Sequence, residues 1–249
     1  MRQLSSRTLK FTARRLLCGN YKFFAMTTLA VAILNFVTTM LLGSVFTSGG
    51  LWNLILQIGC SVIIDIFYYL LLTGVIRAYM NLVSGQYVSA QDLLFAFSNK
   101  PESIAVFAVI QFILETIMAN TVLSYPLDLL TGTITGIHPL RVILVFTVLF
   151  LFTWIQLRLT PVLYLYNINP DLSIKEILKE SWTLMHGKCL RLFWLQFSFI
   201  GIEILKVLSL GIGTLFAEPY QRTAITLFIE KITGEFFPEP EYTAESSQN

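Results

Sequence analysis

The chain has 249 residues, of which 55% are hydrophobic and only 13% charged, and its mean hydropathy is +0.69. Soluble domains carry about 25% charged residues, so a water-soluble globule is excluded, and a net charge of +2 is too small to imply a nucleic-acid partner. Cys18, Cys60 and Cys189 are far apart and odd in number, which excludes a disulfide or metal framework.

The chain opens on an amphipathic segment. Leu9, Ala13, Leu16 and Leu17 make an apolar face, and Arg7, Lys10 and Arg14 a basic one. Gly19 is expected to end it, and Lys22 precedes the first span, Phe23 to Phe46, long enough to cross about 30 Å of hydrocarbon. The apolar run exceeds that of a cleaved signal peptide. Thr47 to Gly50 reads as a tight turn and Leu51 to Ile76 as the second span. Arg77 to Glu102 is polar, with Ser89 and Asp92 as a helix cap before Leu93, Leu94 and Phe97, and with Pro101 closing. Ser103 to Leu123 is the third span. Ser124 to Pro139 is a loop without lysine in which arginine is also missing, and Leu140 to Leu157 is the fourth span.

The clearest local signal lies at 173–191. Ile174, Ile177, Leu178, Ser181, Leu184 and Met185 share one helical face, while Lys175, Glu176, Lys179 and Glu180 point away. Ser173 with Glu176 three residues on is a capping box, and Gly187 fits the position past the helix end. Aligning Ala13 with Ser181 superposes Leu16 on Leu184, Leu17 on Met185 and Gly19 on Gly187. With the segment at 89–101 as a weaker copy, this predicts three repeats, each an amphipathic helix feeding a membrane hairpin. Residues 190–231 are read as two more spans turning near Ser209-Leu210-Gly211, and 236–249 as an acidic, disordered tail.

The expected fold is therefore an all-α integral membrane protein with about six transmembrane helices in three hairpins, each preceded by a cytoplasmic-side amphipathic helix. Residues 1–235 form one polytopic domain. Lysine and arginine cluster before span one, between spans two and three, and between spans four and five. The positive-inside rule then places both termini in the cytoplasm. Arg7, Lys10, Arg14, Lys175, Lys179 and Lys188 are expected to face anionic lipid headgroups.

Three segments carry a likeness to a known family: ARRLLCGNYKFF at 13–24, GVIRAYMNLVSGQYVSAQDLLFAF at 74–97, and KESWTLMHGKCLRLFWLQFSFIGIEILKVLSLGIGTLFAEPY at 179–220. Within the last, Ser198-Phe199-Ile200-Gly201, Gly211-Ile212-Gly213 and Pro219-Tyr220 are the most distinctive. The chain resembles domain of unknown function 975, a family of bacterial membrane proteins largely from Gram-positive organisms. It departs from the family pattern at Ile202, where tryptophan is expected, and at Ile229, where tyrosine is expected. The resemblance implies a polytopic membrane protein of unestablished activity.

Ionisable residues inside a membrane are costly and are candidates for function. Asp65 and Glu115 stand at similar depths on adjacent spans, with Gln111 one turn from Glu115 and Tyr68 and Tyr69 one turn from Asp65. A protonatable pair or cation site can be built that way, but so can two neutral acids that only hydrogen-bond. Glu203 with Lys206 (i, i+3) and Glu218 with Arg222 (i, i+4) read as structural ion pairs. Two histidines, His138 and His186, and the lack of HExxH, GxSxG or P-loop patterns leave no catalytic constellation and no cofactor site. The expected function is a non-catalytic accessory, assembly or protective component of the membrane, working with a membrane-protein partner. The alternative is a small-molecule or ion transporter using the Asp65/Glu115 layer.

Overall fold

A computed structural model describes residues 6–45, 50–123 and 139–234. The turn at 47–50, the loop at 124–139 and the tail at 236–249 lie outside these residues, apart from Gly50 and Pro139, and so does His138. The described chain is helical: α1 (Ser6–Val45), α2 (Leu51–Val83), α3 (Phe95–Ser98), α4 (Pro101–Met118), α5 (Pro139–Leu159), α6 (Val162–Ile168), α7 (Ile174–Leu184), α8 (Cys189–Phe197), α9 (Ile200–Leu208) and α10 (Thr214–Thr233). A 3₁₀ turn (Ala90–Leu94) leads into α3, and a π turn (Ala119–Leu123) ends α4.

Among the described residues, four helical stretches are long and apolar enough to cross a membrane: Ser6–Met40, Leu51–Val83, Pro101–Val122 and Pro139–Ile168. This makes the chain a helical membrane protein. The fifth and sixth spans read from the sequence are not among the four. Residues 189–208 break at Ser198 and Phe199 into two nine-residue helices, and α10 carries Glu218, Gln221 and Arg222 in place of an apolar run. The turn between the last two arms is where the sequence put it. Leu210 and Gly211 both take positive φ there, +50° and +89°.

The three amphipathic copies adopt three different backbones. Gly19 does not end the first: α1 runs through it unbroken for 40 residues. A glycine inside a helix costs about 1 kcal/mol relative to alanine, and burial of Leu9, Ala13, Leu17 and Phe24 outweighs it. The middle copy is capped as expected, since Ser89 N–H donates to Asp92 Oδ2 at 2.9 Å and Ser89 Oγ accepts from Gln91 N–H at 3.2 Å. Yet it becomes a 3₁₀ turn and a four-residue helix, because Lys100 turns left-handed (φ 42°) and Pro101 starts α4 at once. The third copy is a discrete helix. Ser173 N–H and hydroxyl both donate to Glu176 Oε2, at 2.9 and 2.8 Å, and Gly187 takes φ +72° beyond its end. The superposed positions Ala13 and Ser181 are both fully buried, as is Met185, and Leu17 is nearly so.

The core lies where the short helices gather. Its centre is α6, buried from Val162 to Asn167. Pro161 lacks an N–H and separates α6 from α5. Asn167 Nδ2 donates to Thr73 O on α2 at 3.0 Å, Tyr164 and Thr226 share a 3.2 Å hydrogen bond to α10, and the Tyr166 hydroxyl donates to Asn99 O. A second cluster packs Phe24 on Tyr79, ring centroids 4.3 Å apart, with Val75 and Leu82 around them. Gly74 allows the 3₁₀ turn to touch α2: a Cβ there would lie 2.2 Å from Leu93 O. By contrast the far halves of the spans expose large apolar residues such as Ile33, Phe36, Trp52, Ile55, Phe146 and Phe150.

Candidate functional site

Asp65 lies on α2 and Glu115 on α4, two helices packed against each other. The contact that closes this layer is made by Tyr69, one turn beyond Asp65, whose hydroxyl donates to Glu115 Oε1 at 3.1 Å. Tyr69 itself packs edge-on against Phe107, which holds the ring against α4. Asp65 is half-buried and Glu115 is exposed along α4.

Gln111 does not join the carboxylates. It is buried and exchanges two amide hydrogen bonds with Gln156 of α5, Nε2 to Oε1 at 3.3 Å and the reverse at 2.7 Å. The polar layer is thus split into two cross-links, one tying α2 to α4 and the other α4 to α5. Sequence spacing could place Gln111 beside Glu115 on one helix, but it carries no signal for Gln156, 45 residues away. Other span polar groups turn inward on their own helices: Thr27, Thr28, Asn35, Thr39 and Thr147 each donate to the carbonyl four residues earlier.

The two ion pairs both form, and they are one network. Lys206 Nζ lies 2.9 Å from Glu203 Oε1, and Arg222 Nε 2.7 Å from Glu218 Oε1. Lys206 also reaches Glu218 Oε2 at 3.3 Å, so α9 and α10 are bridged across the turn. Gln221, which sequence reading passed over, donates to Glu203 Oε1 and accepts from Lys206 Nζ, both at 2.8 Å. Two carboxylates against two cations leave the network neutral, which a lysine side chain only 12% exposed requires. A cavity of about 230 Å³ opens beside this network, with Thr27, Thr28, Asn35, Tyr68, Glu218 and Arg222 in its wall.

The basic residues divide into two groups. Arg7, Arg14, Lys175 and Lys179 are exposed. Lys10 and Lys188 are half-buried and turn to protein carbonyls, Lys10 Nζ to Ser198 O at 2.7 Å and Lys188 Nζ to Ile232 O at 3.4 Å. Their charge offsets the partial negative ends of α8 and α10. Arg158, at the end of α5, is buried with its guanidinium 4.4 Å from the Trp182 ring and 5.5 Å from Trp154, and it donates to Trp182 O. His186 is exposed past the end of α7.

A bundle of apolar helices cross-linked by short polar contacts defines a membrane protein built around its own helix packing. Residues 1–235 match the family model described as Protein of unknown function (DUF975), and the chain belongs to that family. No curated protein and no solved structure matches it.

Proposed function

We propose that this is a non-catalytic component of a bacterial cell membrane, with an accessory, assembly or protective role exercised through helix contacts with a membrane-protein partner. The observation that carries the reading is the split polar layer. Gln111 is spent on Gln156 and Glu115 on Tyr69, so the groups a transport site would need are engaged in holding three helices together. The wide apolar faces of α1, α2 and α5 leave ample surface for partner helices beside lipid.

The topology that accompanies this reading has four crossings, a last arm that turns back at Leu210–Gly211 without crossing, and both termini in the cytoplasm. The clustering of basic residues before spans one and three and after span four supports it. Tyr21, ahead of the first span, meets Leu215 and Phe216, so Leu210, at the tip of the last turn and 93% exposed, stays on the inner side. Leu210→Cys should resist an impermeant maleimide added to intact cells. Reaction in intact cells would contradict this topology in favour of the six crossings read from the sequence.

The functional reading is tested by purifying the full chain from its own membranes in a mild detergent and weighing what comes with it. A stoichiometric protein partner is the expected result. A lone protein that passes ions or small solutes in proteoliposomes overturns the reading in favour of transport. The grouping of Asp65, Tyr69 and Glu115 across two packed helices is the observation that favours that second reading.

A further inference from the structure

A hollow lies apart from the Asp65/Glu115 layer. It is an open groove of about 940 Å³ between the start of α1 and the α9–α10 turn. Its walls are apolar, formed by Leu17, Ile202, Leu205, Ile212 and Phe216. Leu205, Ile212 and Phe216 are each more than half exposed, an apolar surface of the kind an acyl chain covers. One border is aromatic: Tyr21 stacks on Phe216 at 5.8 Å and donates its hydroxyl to Leu215 O, which fixes the groove's depth.

The other border is basic. Arg14 lines the groove, with its guanidinium 5.2 Å from the Tyr220 ring and its side chain exposed. Arg7 and Arg15 are exposed on the same helix end, and no acidic residue occurs in the chain before Asp65. From Arg14 to Tyr21 is about 10 Å along the helix at 1.5 Å per residue. A charged mouth therefore passes into an apolar trough over the upper part of an acyl chain.

We propose that this groove holds one anionic phospholipid, its phosphate on Arg14 and an acyl chain along Leu17, Leu205, Ile212 and Phe216. An arginine fork suits a phosphate. The surplus of positive charge on α1 favours a headgroup with a net negative charge over a zwitterionic one. The volume is at the upper end of the roughly 300–1,000 Å³ of ligand sites.

Cys18 lines the same groove and is exposed, whereas Cys60 is half-buried and Cys189 buried, so its thiol reports on the occupant. The full chain in mild detergent is doped with phosphatidylglycerol or with phosphatidylcholine. Maleimide modification of Cys18 is followed by peptide mass spectrometry. Phosphatidylglycerol should slow modification several-fold and phosphatidylcholine much less. Arg14→Gln, a change at an exposed position, should erase that difference. Leu205→Trp, which fills the trough, should slow modification without lipid and remove any further effect of it. Equal protection by both lipids, or by neither, overturns the proposal. So does protection that tracks protein concentration together with a dimer in native mass spectrometry, which assigns the groove to a second copy.

Discussion

At the scale of single residues, the Gln111–Gln156 pair shows how a membrane interior spends its polar groups. Each amide satisfies the other, so neither faces lipid unpaired. Gln111→Leu leaves the Gln156 amide without that partner and should cost about 1–2 kcal/mol in detergent unfolding. Gln111→Leu with Gln156→Leu removes both groups and should recover most of the loss. A double mutant as unstable as the sum of the singles would contradict the pairing. Gln111 was legible as a polar residue of the third span, and Asp65 and Glu115 as a layer. Their actual partners, Gln156 and Tyr69, were not, because helix pitch fixes depth along one helix but not which neighbour a side chain turns toward.

At the scale of elements, end signals were read well and continuity was not. The capping boxes at Ser89 and Ser173 and the turns at Gly187 and Leu210–Gly211 depend on residues within a few positions of each other, so the sequence displays them whole. Gly19 carries the same local signal as Gly187, but the packing of α1 on α10 overrides it. The role of α6 was hidden for the same reason: Tyr164, Tyr166 and Asn167 reach residues distant in the chain. The α7 cap carries a pH dependence. Bonds from the Ser173 backbone N–H and hydroxyl hold the Glu176 carboxyl below its ordinary range. A group whose folded value is depressed stabilises its helix above the unfolded value, near 4.3, and that stabilisation is lost as pH falls through the folded value. Amide exchange in the first turn of α7 should therefore speed up, relative to its second turn, as pH is lowered below about 4. In Glu176→Gln that extra acceleration should vanish. Persistence of it in the variant would assign the effect to another group.

At the scale of the whole molecule, the structure concentrates its specific contacts at one end. The short helices α6 to α8, the first turns of α1 and the adjoining stretches of α2, α4 and α10 form the buried core. The four long stretches leave it with broad apolar faces. This division separates a folded base from spans open to lipid and to other helices, and the proposed role through association would use it. The neutral α9–α10 network serves the base as well, since it ties the two arms of the last turn together. The account stands on the intramembrane carboxylates being structural. The most direct test is Asp65→Asn with Glu115→Gln, purified from native membranes beside the wild type and reconstituted in proteoliposomes. The account predicts the same partner at the same stoichiometry from both chains and the same background leak. A flux present in the wild type and lost in the variant, with expression unchanged, would contradict it.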